Sequence, residues 1–317
     1  MSHAQRATPS APRPTPHAPR PTDTQRATPD APRDAPCSTR SGSATLNCPF
    51  HYRHSTIVSV QISAVIISYN EERNIADAVK SVEWADEILV VDSESTDRTR
   101  EIAESLGARV IVNAWPGFSA QKQFAADNAA NDWILSLDSD ERISDSLRDE
   151  ILALKNAGMA ADGYKIPRLS YYMGRPIRYG GWYPDHQLRL FDRRKAKWNG
   201  AVVHESVAMD PGATTGQLKR DILHYSVESA EHHNRMIAER YAPLGAQRML
   251  DTGRSSSPLK AVLSSWFAFF PAYFLKLGFL DGFPGFCIAY FAAHHTFMKH
   301  LMLIELTRRA NGDFEQD

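Results

Sequence analysis

Three apolar runs of strand character each stop abruptly in a cluster of carboxylates and hydroxyls, and this repeated pattern narrows the folds open to the chain. Ile62-Ser63-Ala64-Val65-Ile66-Ile67 runs into residues 68–72, Glu87-Ile88-Leu89-Val90-Val91 into residues 92–97, and Trp133-Ile134-Leu135-Ser136-Leu137 into Asp138-Ser139-Asp140. Strands this continuously apolar are covered on both faces, as in a parallel sheet flanked by helices. The intervening segments carry helical spacing: Ile75, Ala78, Val79 and Val82 within residues 74–84, then residues 98–106 ended by Gly107, and residues 121–130 after a third strand at 108–112. Alternation of this kind implies right-handed crossovers and an α/β fold with a mostly parallel central sheet. Such sheets bind ligands beyond the carboxyl ends of their strands, so the three polar clusters are expected to share one crevice.

Asp138 and Asp140 would point to the same side of an extended backbone, where their charges repel unless a cation lies between them. A hard divalent ion, Mg²⁺ or Mn²⁺, suits oxygen ligands and keeps positions for water and substrate phosphates. The competing reading is an Asp-rich turn capping the helix that starts near Ser144. The chain has neither a Gly-x-Gly-x-x-Gly loop nor a Walker Gly-Lys-Ser/Thr. Dinucleotide and P-loop chemistry therefore fall away, leaving a nucleotide site that grips diphosphate through metal.

With 317 residues, 43% of them hydrophobic, and a net charge of -1, the chain has material for a substantial core and no charge balance calling for nucleic acid. Residues 1–56 differ from the rest: they hold ten of the nineteen prolines and seven arginines, and Ala7-Thr8-Pro9-Ser10-Ala11-Pro12-Arg13 recurs as Ala27-Thr28-Pro29-Asp30-Ala31-Pro32-Arg33. Too few apolar side chains stand there to offset ordering entropy, so a disordered tail is expected. It lacks the apolar stretch of a signal peptide, and Cys48-x-x-His51-x-x-His54 is read as a chance triplet in a polar tail. Cys37, Cys48 and Cys287 suggest a reducing compartment without a disulfide framework. The remainder divides into a catalytic domain at 57–227, a helical connector at 228–257 and an apolar helical segment at 258–317.

Beyond a helix at 145–154, an aromatic, glycine-rich stretch at 171–183 precedes strand-like residues 185–191 and Trp198-Asn199-Gly200. Aromatic rings beside sparse carboxylates suit a sugar site, and equally a half-buried sheet with cross-strand pairs. In the last segment, residues 266–275 and 283–297 are apolar but interrupted by Pro271, Lys276, Asp281-Gly282 and Pro284. They fall short of the roughly twenty apolar residues a membrane span needs. Interfacial helices on an anionic membrane surface are expected, with Lys260, Lys276, Lys299, Arg308 and Arg309 available to lipid; a buried helical hairpin is the alternative.

In order and spacing, residues 66–72, 90–97 and 137–140 resemble the family 2 glycosyltransferases of the GT-A fold, over about residues 62–207. Residues 182–191, Val203-His204-Glu205 and Phe279-Leu280-Asp281-Gly282 further resemble the bacterial lipopolysaccharide-core β-1,4-glucosyltransferases, which modify an inner-core heptose. The resemblance implies a GT-A nucleotide-sugar-binding fold, with Tyr69, Glu71 and Asp92 binding the uracil and ribose of a UDP-sugar, and Ser95 and Asp97 nearby. It places Lys122 against the diphosphate or donor, Asp138 toward the sugar and ribose, and Asp138 and Asp140 at the metal, with Asp140 coordinating the ion that bridges the phosphates. Asp185 becomes the catalytic base, with Glu205 its rival. His204 is read as a hydrogen-bonded core histidine, and Arg189 as either a phosphate ligand or a carboxylate partner. The implied reaction is inverting transfer of a hexose, glucose from UDP-glucose first, to a lipid-linked inner-core saccharide by a cytoplasmic protein held peripherally on the plasma membrane. A polyprenyl-phosphate acceptor and a non-catalytic nucleotide-sugar scaffold are the alternatives.

Overall fold

The alternation read from the sequence is built as β1 (Ile62–Ser68), α1 (Ile75–Ser81), β2 (Glu87–Asp92), α2 (Thr99–Ser105), β3 (Arg109–Val112), α3 (Phe118–Asn128) and β4 (Trp133–Asp138). The structure, a computed structural model, describes residues 60–200, 205–227 and 229–312. The expectations for the tail, for Cys48, His51 and His54, and for His204 lie outside the described residues. β1 runs parallel to both β2 and β4, and β3 continues the sheet beyond β2. The register sets Ser68 opposite Asp92 and Ile67 opposite Asp138, so three strands end at one edge. β1 is buried along its whole length, and its alternate residues serve opposite layers. Ile62, Ala64 and Ile66 pack with Ile75, Val79, Leu147 and Ile151, while Val65 and Ile67 pack with Ala125, Ala126 and Phe191. Helix α3 starts earlier than the apolar spacing suggested, because Gly117 turns the chain at φ 103° directly after Pro116.

Next come β5 (Glu141–Ile143), α4 (Asp145–Ala157), β6 (Gly163–Tyr172), β7 (Arg175–Pro176), β8 (Asp185–Asp192), β9 (Ala196–Trp198), β10 (Val207–Met209), β11 (Thr215–Gln217) and β12 (Ile222–Val227). Ser144 caps α4 by accepting the Leu147 N–H, and Gly158 closes it in the left-handed region, so neither Asp138 nor Asp140 serves as that cap. β8 inserts antiparallel between β4 and β6, giving the order β3-β2-β1-β4-β8-β6-β12-β5. The terminal strand β5 follows β4 after only Ser139 and Asp140. The outer half of this mixed sheet must therefore curl until its far edge returns to the tip of β4.

α5 (Ala230–Met236) continues through one π turn, Ile237–Tyr241, into α6 (Ala242–Asp251). α7 (Pro258–Phe270) and α8 (Phe283–Ala310) form a hairpin whose connection holds a π turn at Pro271–Leu275 and a 3-10 turn at Gly278–Asp281. Backbones meet there: a Cβ on Gly285 would overlap the Gly278 carbonyl oxygen. The connection is tied to the segment after β7, since the carboxylate of Asp281 accepts the N–H groups of Arg178 (3.2 Å) and Tyr179 (2.8 Å), and the Lys276 carbonyl accepts that of Gly180 (2.9 Å). Among the described residues no helix is long and apolar enough to cross a membrane.

Candidate active site

The loops leaving β1 and β2 are stitched together by side chains. Asn70 N–H donates to Ser95 Oγ (2.8 Å), Thr96 N–H to Asn70 Oδ1 (2.8 Å), Glu71 N–H to Thr99 Oγ1 (2.7 Å) and Glu72 N–H to Asp97 Oδ2 (3.1 Å). Asn70 adopts φ 53°, a left-handed conformation that Asn tolerates and that these bonds hold. Asp92 is 0% exposed and accepts from Ser68 Oγ (3.0 Å), Ser95 N–H (2.8 Å) and Ser95 Oγ. Asp92 and Ser95 thus brace the shelf from within. Tyr69 stands out on it, 59% exposed, and Glu71 accepts from the Asn74 side chain at 2.8 Å.

Strand β4 ends at Asp138, and Ser139 and Asp140 form a turn. The shared strand face expected of the two aspartates therefore gives way to a bend, across which they meet different partners. Asp138 lies between two cations: Lys122 Nζ is 2.9 Å from Oδ1 and donates to Oδ2 at 3.2 Å, and Arg189 Nη2 donates to Oδ2 at 3.0 Å. Burial alone would raise the pKa of this carboxyl, but the charges of Lys122 and Arg189 outweigh it and hold the group well below the usual carboxylate range. The buried Oδ1 is held by that ion pair with Lys122 and accepts no further bond among the described residues. Asp140 Oδ2 faces His224 Nε2 on β12 at 3.4 Å, and His224 Nδ1 lies 3.2 Å from Ser170 Oγ.

Glu141, 0% exposed, joins the network through Oε1, which accepts from Arg189 (2.9 Å) and Arg168 (3.1 Å). Arg168 in turn holds Asp185 Oδ2 by Nε (2.9 Å) and Nη2 (2.7 Å), and Gln187 donates to Asp185 Oδ1 at 2.6 Å. Asp185 and Arg168 are direct cross-strand neighbours. The line Lys122, Asp138, Arg189, Glu141, Arg168, Asp185 therefore alternates in charge across the curled half of the sheet, the arrangement a low-dielectric site requires of its ions. Among the described residues Arg189 Nε and Nη1, both buried, have no hydrogen-bond partner. Glu141, Arg168 and His224 escaped the sequence reading, since only the curl of the sheet shows that they meet the Asp-x-Asp turn.

Lys122, Asp138, Arg168 and Arg189 open on a cleft of 1670 Å³, lined on the sheet side also by Trp198 and Glu205 and on the other by α6 and α8, whereas Tyr69, Glu71, Asp92, Ser95, Asp140 and Asp185 do not line it. Lys122 Nζ lies 3.3 Å from Glu205 Oε1 and 5.1 Å from the centre of the Trp198 ring. The volume exceeds the ~300–1,000 Å³ of an ordinary small-ligand pocket, leaving room for two reactants.

Residues 63–207 match the family model of Glycosyl transferase family 2. A protein of Rickettsia bellii (strain RML369-C) named an uncharacterized glycosyltransferase is 34% identical over 272 residues, covering 81% of this chain and 90% of its own. The chain belongs to glycosyltransferase family 2. The transferase is also 26% identical over 269 residues to LpsC of Rhizobium meliloti (strain 1021), named a lipopolysaccharide core biosynthesis glycosyltransferase, covering 78% of this chain and 95% of LpsC. Among solved structures it is similar to glucosyl-3-phosphoglycerate synthase from Mycobacterium tuberculosis in complex with Mn²⁺, UDP and glucosyl-3-phosphoglycerate, at 26% identity and a TM-score of 0.30, over 36% of this chain and 45% of that one. Family membership makes the protein an enzyme of the GT-A-like fold expected from its motifs and sets the scaffold alternative aside.

Proposed function

We propose that this transferase moves a hexose, glucose first, from a UDP-sugar to an inner-core saccharide of lipopolysaccharide at a membrane surface, with inversion at the anomeric carbon. The observation that carries the reading is the cleft at the tip of β4, lined by the Lys122–Asp138–Arg189 group, because an ionised carboxylate between two cations positions charge for a diphosphate. In this reading Tyr69, exposed on the shelf, receives the uracil face, with Glu71 beside it and Asp92 and Ser95 as positioning residues behind. The partnerless N–H groups of Arg189 and the ammonium of Lys122 supply donors for phosphate oxygens. The likeness to LpsC supports the core acceptor.

Among the described residues no three His, Cys, Asp or Glu side chains are grouped to hold a metal ion, and Asp138 Oδ1 is paired with Lys122 at 2.9 Å. A divalent cation would therefore take most of its oxygens from the donor diphosphate and water, with Asp138 and Asp140 as its protein ligands and His224 beside Asp140. Mg²⁺ or Mn²⁺ held in this way would stabilise the charge left on the departing UDP. Asp185 is our base: it takes the proton of the acceptor hydroxyl while that oxygen bonds to the anomeric carbon and the bond to UDP breaks. Inversion requires the base to stand away from the leaving group, and Asp185 is separated from Asp138 by Arg168, Glu141 and Arg189, whereas Glu205, which lines the cleft, shares Lys122 with Asp138.

The apolar hairpin supports a lipid-linked acceptor. Leu259, Trp266, Phe267, Leu275 and Phe283 are each at least 65% exposed, with Lys260 and Lys276 beside them. A membrane with anionic lipid satisfies both features.

Mass spectrometry of core oligosaccharide from cells with and without the protein tests the acceptor: one hexose should be missing, and a sugar lost only from polyprenyl phosphate would overturn the assignment. For the cation, EDTA should abolish transfer, and Asp140→Ala and His224→Ala should each weaken Mn²⁺ binding, followed by electron paramagnetic resonance, by at least about tenfold. Full activity of Asp140→Ala in EDTA would remove the metal from the mechanism.

A further inference from the structure

The two walls of the cleft carry charge differently. On the sheet side Lys122, Arg168 and Arg189 all face carboxylates. On the helical side Arg240, Arg248, Arg254 and Lys299 line the same space, and none of them has a carboxylate within ion-pair distance among the described residues. Arg240 lies over the Phe118 ring at 4.9 Å, and Arg248 follows it two turns later on the same helical face. Lys299 reaches in from α8 with its stem across Gly245, where a Cβ would come within 2.8 Å of Lys299 Cδ. One turn before it, His295 also lines the cleft, its buried Nε2 without a hydrogen-bond partner among the described residues, and burial and the charge of Lys299 lower its pKa.

Four like charges gathered in a concave space repel one another, and an anion between them removes that repulsion. We propose that this wall is the binding subsite for an anionic group on the acceptor, a phosphate or carboxylate carried by a sugar. It rests on the reading that the donor diphosphate lies at the opposite wall, by Asp138. Arg248 and Arg254 supply planar forks for the anion, Lys299 adds a point charge, and His295 Nε2 offers a neutral contact to a sugar hydroxyl.

The test measures equilibrium binding of glucose 6-phosphate, glucuronate and methyl glucoside to the full chain at low salt, with UDP and Mg²⁺ saturating. One of the two anionic probes should bind at least about tenfold more tightly than methyl glucoside, and added salt should erase the difference. The tighter anionic probe identifies the group. Arg248→Gln combined with Lys299→Gln should abolish the preference with unchanged thermal melting and UDP affinity, while Arg248→Lys combined with native Lys299 should keep most of it. Equal binding of the neutral sugar, or a preference that survives the double glutamine variant, overturns the proposal. A loss of UDP affinity in that variant also overturns it, by assigning the cations to the donor. Failure of the wild-type protein to glucosylate core oligosaccharide would instead refute the acceptor proposed above and leave this binding comparison standing.

Discussion

Arg189 shows how position turns an ordinary ion pair into a demanding one. Its guanidinium is 4% exposed and divides one nitrogen between Asp138 and Glu141, so its removal leaves two carboxylates facing each other with reduced compensation. Breaking such a group costs about 3–5 kcal/mol. Arg189→Met should therefore lower the urea midpoint by the equivalent of about 3 kcal/mol and release Asp138 toward an ordinary carboxylate pKa. A midpoint unchanged from wild type would mean that the network carries no stability. Asp185→Asn should leave UDP affinity intact and lower transfer by about 10²–10⁴, whereas Glu205→Gln should act mainly on donor binding through Lys122. The reverse pattern in isothermal titration and initial rates would make Glu205 the base. Asp138 and Asp140 stood out locally as a polar cluster at the end of an apolar strand, whereas Lys122, on α3, was reached only through the family resemblance. Glu141 and Arg168 were not, since their meeting spans 27 residues and depends on the curl of β6 toward β5.

At the scale of elements, α5 and α8 meet the sheet through aromatic and imidazole rings. His233 stacks 4.3 Å from Phe291 and its Nδ1 lies 3.3 Å from Tyr172 Oη, while burial and then His232, His294 and His295 push its pKa down to about 4. The unfolded chain, with histidine near 6.5, binds more protons than the folded one between these values. This contribution to stability is therefore complete above pH 6.5 and is lost as the pH falls toward 4. Urea midpoints at pH 7 and pH 5 should show the fall, and His233→Gln should reduce it without erasing it, because His295 and His300 are lowered as well. An identical slope in the variant would place the titration elsewhere. The periodicity behind α1, α2 and α4 was visible in sequence because each helix buries one face on the sheet. β5 was invisible, as three residues directly after the Asp-x-Asp turn carry too little pattern to reveal a partner in β12. The Phe279-Leu280-Asp281-Gly282 motif has a local physical reason: Asp281 accepts two backbone N–H groups of residues 178 and 179, fastening the hairpin connection to the sheet unit.

Across the whole molecule, the cleft and the apolar hairpin belong to one arrangement, because α8 contributes both His295 and Lys299 to the cleft and Phe283 and Tyr290 to the exposed apolar surface. A helix shared in this way couples where the protein rests to what its cleft can reach. Trp266 and Phe267, 67% and 76% exposed on α7, lie outside the cleft lining, so replacing both with Glu should leave the fold and UDP affinity unchanged. Each buried aromatic ring contributes about 1.5–3 kcal/mol when taken out of water, and two added carboxylates are repelled by anionic headgroups. Trp266→Glu with Phe267→Glu should then lower binding to vesicles containing phosphatidylglycerol by more than about tenfold in sedimentation. Transfer to a lipid-linked acceptor in those vesicles should fall in parallel, while transfer to the same saccharide stripped of its acyl chains should persist. Were the variant to sediment with vesicles as the wild type does, this face would belong to a protein partner or a second copy, and gel filtration of the two forms would then show which.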